Sequence, residues 1–217
     1  ALLRKKNESS LSMVDVGASM GFDSLYMLRR ATNSFRVGLP FSHIKIAFLE
    51  GDIDLIERGK VIWNQNVSPQ KVEFKYHHHP LVEKFPLENA QANVVLCSEV
   101  VEHLVDPVAV FKEIYRVLKP GGFFILTTDN SPNILQRLRR IPVWMTGKYR
   151  TKYARPGLEE ETTGFTVVGG RRYPIYGHIN LNPTRTWEAM VREVGFEIED
   201  YGTYESLRRG GGSRSPL

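Results

Sequence analysis

The side chains best suited to catalysis or metal binding lie in a short run near the middle of the chain. Glu99, Glu102 and His103 would share one helical face if a short helix begins there, because they are three and four positions apart. Two carboxylates and an imidazole can bind a divalent cation or move a proton. The alternative is that His103 is hydrogen-bonded inside the fold. We favour this alternative and expect no metal ion here.

Three neighbouring histidines, His77 to His79, form a second candidate for metal binding. They follow a predicted strand over residues 72–76. Adjacent residues of an extended chain point in different directions, which is a poor geometry for chelation. We therefore expect no metal ion there either.

A turn of small residues near the start of the chain is suited to holding a ligand through its backbone. This glycine turn consists of Gly17, Ala18, Ser19, Met20 and Gly21. It lies between a predicted strand over residues 11–17, which includes Asp15, and a predicted helix through residues 24–30. A turn in this position presents backbone N–H groups to a ligand at a helix N-terminus.

Two acidic residues, Glu50 and Asp52, follow a predicted strand over residues 44–49. A carboxylate at the tip of a strand can accept hydrogen bonds from both hydroxyls of a ribose. We assign this role to Asp52, with Glu50 as the alternative. Asp52 is also suited to cap a helix that begins at Ile53, and it could serve both purposes.

The scaffold for these residues is predicted most clearly in the middle of the chain. Residues 94–97 are apolar and rich in β-branched side chains, which is typical of a buried parallel strand. Residues 107–118 repeat apolar side chains at helical spacing behind the capping residue Asp106. A second apolar strand over residues 123–128 completes a βαβ unit, so we predict an α/β protein.

Composition is consistent with one such domain. The chain has 217 residues, of which 41% are hydrophobic, and it has no apolar run long enough to span a membrane. Its single cysteine, Cys97, lies in a predicted buried strand, which excludes an intrachain disulfide and favours a cytoplasmic location. The sequence begins without an initiator Met or a signal-peptide pattern, so we expect a trimmed N-terminus.

Several of these motifs together resemble class I S-adenosylmethionine (SAM)-dependent methyltransferases, in particular the type 11 and type 12 domains. The similarity rests on the glycine turn, on Ser-Glu-Val-Val-Glu-His-Leu from Ser98, and on Arg-Val-Leu-Lys-Pro-Gly-Gly from Arg116. It implies a Rossmann-like single domain, with a mostly parallel central sheet flanked by helices, and SAM as the cofactor. The implied cofactor-binding residues are Asp15, Gly17, Ala18, Ser19, Gly21, Glu50, Asp52, Val82, Ser98 and Glu99.

The sequence departs from the family pattern in four places. Ser19 replaces the usual middle glycine, and Leu81 replaces the usual acid in the loop beside the adenine. The family's last strand has no clear match, and residues 36–40 resemble either an insertion or a competing second strand that lacks its acid. Backbone groups and apolar contacts would then hold the adenine, with Val82 at the start of its loop.

The resemblance also suggests how the chain is organised. We expect a flexible lead-in over residues 1–10, a SAM-binding core over 11–130, a substrate-side lid and C-terminal part over 131–207, and a disordered tail over 208–217. Within the substrate-side part we expect a short helix over 134–140, an inserted lid over 141–163, a helix over 184–194 capped by Asn182, and a strand beginning in 195–199.

The net charge of +5 is unevenly distributed. Residues 1–130 hold 15 basic and 15 acidic side chains, whereas the rest of the chain holds 14 basic and 9 acidic ones. Seven basic residues between Arg137 and Arg155 have no acid among them. Such a cluster favours an anionic partner, although a solvated basic face would look the same in the sequence.

The implied activity is transfer of a methyl group from SAM to an oxygen or nitrogen of a small-molecule, glycan or lipid-precursor acceptor, anionic ones included. His178 is our first candidate for a general base, followed by Tyr176 and His103, although a loop histidine can equally bond the backbone. One alternative is a metal-assisted RNA 2′-O-methyltransferase, although no RNA-binding module is recognisable and no specific nucleic acid is expected. The other is a catalytically degenerate partner subunit. The sequence does not predict an oligomeric state.

Overall fold

The computed structural model describes residues 9–34, 41–129 and 162–202, and it describes the side chains of all of these except residues 31–34. Five strands form one sheet: β1 Ser10–Val16, β2 His43–Glu50, β3 Val72–His78, β4 Ala92–Ser98 and β5 Leu118–Thr127. All neighbouring strands are parallel, in the order β3-β2-β1-β4-β5. The flanking helices are α1 Phe22–Ser34, α2 Ile53–Asn66, α3 Pro107–Val117 and α4 Thr184–Val194. This is the predicted Rossmann-like arrangement.

The helix boundaries follow from local chemistry. Asp106 accepts a hydrogen bond from the backbone N–H of Ala109 at 3.1 Å, and Pro107 occupies the first helical position, so α3 begins where the sequence predicts. Gly195 ends α4 in the left-handed conformation, with φ of 113°.

The core fills both faces of the sheet. On one face, Phe111 and Ile114 of α3 and Trp187 of α4 pack against the buried side chains of β1 and β4. On the other, Trp63 of α2 packs edge-on against Phe48 of β2, with ring centroids 4.8 Å apart. Burying such a side chain contributes about 1.5–3 kcal/mol, so the sheet is held rigidly between its helices.

The strand order reverses direction between β1 and β4. These strands are paired from Met13 opposite Val94 to Val16 opposite Cys97, so their carboxyl ends lie side by side. Their following connections leave toward opposite faces of the sheet, which opens a crevice at that edge. The fold therefore brings the glycine turn next to the run that begins at Ser98.

β5 differs from its prediction at its start. Pairing with β4 begins at Leu118 rather than at Phe123, and the register shifts between these two positions. Gly121 has φ of +67°, so the Lys-Pro-Gly-Gly segment forms a bulge inside the strand instead of a separate turn.

Two predictions for the C-terminal part of the chain are wrong. Residues 195–199 form no strand, because Phe196 packs against Phe124 and Tyr115 without any strand beside it to pair with in the described structure. The side chain of Asn182 makes no cap; the residue before α4 is Pro183, which has no capping side chain.

An antiparallel hairpin, β6 Thr162–Val168 and β7 Arg171–Tyr176, was not predicted. A 3₁₀ turn covers Val101–His103.

Several expectations fall outside the described residues. They are the lead-in over 1–8, the insertion over 36–40, the short helix over 134–140, most of the lid, the basic cluster from Arg137 to Arg155, and the tail over 208–217. Among the described helices, none has the length and apolar character needed to cross a membrane.

Candidate active site

The glycine turn is shaped by positive backbone angles. Gly17 and Gly21 have φ of +68° and +76°, a region that side chains disfavour. A Cβ on Gly17 would collide with the side chain of Val100, and one on Gly21 would lie 2.5 Å from the indole nitrogen of Trp63. The turn therefore packs tightly on its own protein, and the backbone N–H groups of Gly17 and Ala18 donate to Leu49 O at 2.9 and 3.1 Å.

Ser19 adopts the conformation that explains why this position usually favours glycine. Its φ is +50°, which costs a non-glycine residue about 1–2 kcal/mol. Its backbone N–H donates to Glu50 Oε2 at 2.6 Å, and this charge-assisted hydrogen bond offsets part of that cost. The serine is thus accommodated and the shape of the turn is retained.

Glu50 and Asp52 have different roles in the structure. Glu50 ends β2, and its Oε1 accepts from the backbone N–H groups of Gly51 and Asp52 at 2.8 and 2.9 Å. Asp52 is the N-cap of α2, and its Oδ1 accepts from Asp54 and Leu55. Glu50 therefore contacts the glycine turn, whereas Asp52 contacts the first turn of its own helix.

Asp15 lies beneath the glycine turn. Its side chain is buried, and it accepts a hydrogen bond from Ser24 Oγ at 2.6 Å. Burial raises the pKa of Asp15 to about 7. The carboxyl group thus anchors the first turn of α1 to the end of β1, so the structure gives it a supporting position rather than a ligand-facing one.

The loop after β3, predicted to lie beside the adenine, is fixed by a histidine. His79 Nε2 donates to Lys84 O at 3.1 Å, and its Nδ1 accepts from the backbone N–H of Leu81 at 3.1 Å. Leu81 has φ of +63°, and Val82 is 59% exposed. Val82 is therefore available for an apolar contact.

The neighbouring histidine His78 bonds Gly51 O through Nε2 at 2.9 Å. His77, His78 and His79 do not form a group with metal-binding geometry in the described structure.

The hairpin packs over the same edge of the sheet. Thr166 Oγ1 donates to Gly51 O, and Tyr173 OH donates to Glu83 Oε1 at 2.6 Å. The hairpin thus links the loop that follows β2 to the loop that follows β3.

The segment after β4 begins with a strained residue. Ser98 Oγ lies 2.9 Å from Thr127 Oγ1, and Glu99 has φ of +53°, an uncommon conformation for a non-glycine residue. Burial raises the pKa of Glu99, the negative charge of Glu102 adds to this, and a hydrogen bond with Thr127 opposes it. Glu99 precedes the 3₁₀ turn, so the expected shared helical face of Glu99, Glu102 and His103 does not form.

Glu102 is instead joined by residues that are distant in the sequence. Its side chain is completely buried; Oε2 accepts from Thr128 Oγ1 at 2.8 Å, whereas Oε1 has no hydrogen-bond partner in the described part of the chain. One ligand atom from each of Glu102, His103 and His178 lies within 4.8 Å of the others. With Asp129, which contacts His178, these residues form what we call the acid–histidine cluster.

The two imidazoles of the cluster are oriented by hydrogen bonds at Nδ1. His103 Nδ1 donates to the carbonyl oxygens of Tyr176 and Gly177 at 3.0 and 3.2 Å, and His178 Nδ1 lies 2.9 Å from Asp129 Oδ2. In each ring the Nε2 atom is then the acceptor of the neutral imidazole. The ring centroids are 4.6 Å apart. Tyr176 thus contributes a carbonyl oxygen to the cluster.

The loop that carries His178 is fastened to the 3₁₀ turn. The backbone N–H of Asn180 donates to Glu102 O at 2.9 Å, and its side-chain amide donates to Leu104 O. Sequence reasoning singled out His103 and His178 but missed Asp129 and Thr128. Their position at the carboxyl end of β5, where ligands bind in such sheets, is the signal that could have identified them.

Relatives with curated names share part of this chain. A ubiquinone biosynthesis O-methyltransferase from Psychrobacter cryohalolentis is 28% identical over 118 residues, which are 54% of this chain and 40% of that protein. One of the same name from Leptothrix cholodnii is 29% identical over 121 residues, or 55% of this chain and 45% of that protein. The matches thus span less than half the length of these relatives.

Solved structures share the fold at low identity. The YcgJ protein from Bacillus subtilis superposes with a TM-score of 0.54 at 14% identity, over 89% of this chain and 64% of that one. The CMeT domain of the citrinin polyketide synthase superposes with a TM-score of 0.56 at 19% identity, over 89% of this chain and 43% of that one. The [4+2]-cyclase SpnF superposes with a TM-score of 0.58 at 14% identity, over 92% of this chain and 56% of that one. Because a cyclase has the same fold, the fold alone does not determine the reaction.

The family described as "Methyltransferase domain" matches residues 1–201, almost the whole chain. The match extends over the glycine turn, the five-stranded sheet and the acid–histidine cluster. The chain therefore belongs to the methyltransferase domain family and is a class I SAM-dependent methyltransferase by sequence and fold.

Proposed function

We propose that this chain methylates a hydroxyl oxygen of a small-molecule acceptor. The observation that carries the proposal is the contact of His178 Nδ1 with Asp129 Oδ2, at the sheet edge where ligands bind in this fold. An imidazole held in this way keeps Nε2 free to take a proton. A hydroxyl is the acceptor that gains most from a base, because its anion is the better nucleophile.

The residues of the glycine turn fit the cofactor. The positive φ angles of Gly17, Ser19 and Gly21 hold the backbone in a tight turn between β1 and α1, and Glu50 lies against it with one lone pair of Oε2 unused by Ser19. We infer that Glu50 binds the ribose hydroxyls and that Val82 contacts the adenine. SAM supplies a methyl group on a positively charged sulfur, already activated for transfer.

The acid–histidine cluster would then act on the acceptor. His178 takes the acceptor's proton at Nε2, and Asp129 stabilises the positive charge that results on the ring. Because the loop carrying His178 is bonded to the 3₁₀ turn, the base is held in place before the acceptor arrives, which favours catalysis by positioning.

The class of acceptor is inferred from two features. The names of the relatives point to an oxygen acceptor in a biosynthetic pathway. The excess of basic residues after Asn130 favours an anionic acceptor, such as a carboxylated or phosphorylated small molecule. The RNA alternative is less favoured, because no RNA-binding module is recognisable in the sequence. The degenerate alternative is opposed by the intact cluster.

The proposal is tested with a panel of phenols, catechols, and their carboxylated and phosphorylated derivatives. The protein is incubated with SAM and each compound, and products are detected by mass spectrometry as a gain of one CH₂. We expect O-methylated product with the wild type and strongly reduced product with Asp129→Asn. Methylation confined to nitrogen or sulfur acceptors, or wild-type rates in Asp129→Asn, would refute the assignment.

A further inference from the structure

We propose that Glu102, His103 and His178 bind a divalent transition-metal ion, which assists the proposed methyl transfer. Two imidazole nitrogens and one carboxylate oxygen form the donor set that suits Zn²⁺, Mn²⁺ or Fe²⁺ rather than Ca²⁺ or Mg²⁺. This reverses our expectation, from the sequence, of no metal ion. The inference rests on the proposed function only for the role of the ion, not for its binding.

The three ligand atoms already lie close together. Each is within 4.8 Å of the other two. Metal–ligand bonds of about 2.0–2.2 Å require ligand atoms roughly 3–4 Å apart, so small side-chain rotations would complete the site. The side chain of His178 is 41% exposed, so its ring can rotate while the backbone of its loop stays fastened to the 3₁₀ turn.

Glu102 gives independent evidence for a cation-binding site. It is completely buried, and its Oε1 atom has no partner of ordinary hydrogen-bond geometry among the described residues. The Glu99 carboxyl group, whose pKa is raised by burial and by Glu102, can share a proton with it, but such a pair still carries negative charge. An unsatisfied buried carboxylate oxygen costs about 1–3 kcal/mol or more. A cation at the adjacent imidazole nitrogens would satisfy this oxygen. The other oxygen is held by Thr128, so the free one has a fixed direction.

The hydrogen bonds behind both histidines are those expected of metal ligands. Such histidines usually donate their second ring N–H to a backbone carbonyl or a carboxylate. His103 does so to the carbonyls of Tyr176 and Gly177, and His178 to Asp129. Both rings thus offer Nε2. By contrast, His79 uses both ring nitrogens in backbone hydrogen bonds and offers neither.

Three protein ligands leave coordination positions open, as in catalytic metal sites. An acceptor hydroxyl at an open position would have its pKa lowered by the ion, and its proton could leave to solvent. With the ion bound, Nε2 of His178 would be a ligand and no longer the general base of the proposed function. The ion would then promote loss of the acceptor's proton, and Asp129 would act as the positioning residue of His178.

The test uses the full chain after chelation and dialysis, titrated calorimetrically with Zn²⁺, Mn²⁺ and Mg²⁺. We expect one Zn²⁺ or Mn²⁺ per chain, with binding weakened about 100-fold or more in His178→Gln and about 10–100-fold in Asp129→Asn. The matched control is His43→Gln, a partly buried histidine at the amino end of β2 and thus at the opposite end of the strands from the cluster, which should bind as the wild type does. Glu102→Gln tests the buried ligand, and Co²⁺ absorption spectra report the geometry.

The inference is overturned if the wild type binds no ion below millimolar concentration, or if His178→Gln and His43→Gln bind alike. His178→Gln decides the matter even if Glu102→Gln fails to fold, because its side chain is partly exposed. Failure of the proposed function is distinguishable: an ion bound without O-methylation of any acceptor refutes the function but not the site. Unchanged O-methylation by the chelated protein refutes the role of the ion alone.

Discussion

The glycine turn and the acid–histidine cluster lie at the same edge of the sheet but are built differently. In the glycine turn, backbone angles determine the shape, and Glu50 is satisfied by Ser19, Gly51 and Asp52. In the cluster, the side chains determine the shape, and a buried oxygen of Glu102 is left without a partner in the described structure. The first region is suited to hold a ligand and the second to act on one.

The largest effect is expected where the backbone cannot adapt. Gly17→Val would place a β-branched side chain at φ of +68° and against Val100, so we expect loss of measurable SAM binding. We also expect destabilisation of about 2–4 kcal/mol, because the clash lies within the protein. Calorimetry and urea unfolding measure the two effects.

The control for this variant is Gly164→Val in the hairpin, where a Cβ would meet nothing within 4 Å. It should bind SAM normally. If Gly17→Val also binds normally, backbone shape does not govern the turn.

A smaller effect on SAM binding should distinguish Glu50, at the end of β2, from Asp52, two residues later. Glu50→Ala should weaken SAM binding by about 1.5–3 kcal/mol, or roughly 10–100-fold, through lost charge-assisted hydrogen bonds. Asp52→Ala should leave SAM affinity almost unchanged. Calorimetric titration of both variants checks the pair, and the reverse order would restore Asp52 as the ribose ligand.

The pH dependence of stability tests the role of Asp15, the buried carboxyl group beneath the glycine turn. The pKa of Asp15 is raised from 3.8 to about 7 by burial, so the folded chain binds this proton more tightly than the unfolded chain. Its contribution to stability is therefore greatest at acid pH and is lost as the pH rises from about 4 to about 7. Asp15→Asn should flatten this part of the profile in urea unfolding. An identical decline in both proteins would mean that other groups cause it.

The smallest effect should come from Asp52 as a helix cap. Replacing this residue by Ala removes two hydrogen bonds to the N-terminus of α2, which should cost about 1 kcal/mol of stability. Urea unfolding measures it. This loss should occur without a change in SAM affinity. The variant would then show that Asp52 stabilises α2, whereas Glu50 binds the cofactor.

The same contrast explains what the sequence could reveal. The five strands of the sheet and the helices beside them follow from local patterns, such as the buried run of β4 and the Asp-Pro start of α3, so their order was predicted. The early start of β5 at Leu118 and the β6–β7 hairpin were not. The glycine turn is also local. The cap formed by Asp52 was predicted from the sequence, but the contact of Glu50 with the backbone N–H of Ser19 joins two segments 31 positions apart and required the structure.

The acid–histidine cluster could not be predicted as a unit. His178 lies 75 positions after His103, and the two meet only because the loop after β7 is bonded to the 3₁₀ turn. The helical face expected for Glu99, Glu102 and His103 failed because Glu99 adopts a positive φ and leaves the helix. Contacts of this kind depend on tertiary packing, which periodicity does not encode.

The most direct test of the division between the two regions compares SAM binding and methyl transfer in His178→Gln. With an acceptor from the panel, we expect the SAM dissociation constant to stay within about twofold of the wild type, while the transfer rate falls about 100-fold or more. His43→Gln should match the wild type in both. An unchanged transfer rate in His178→Gln, or a loss of SAM affinity as large as the loss of rate, would contradict the account.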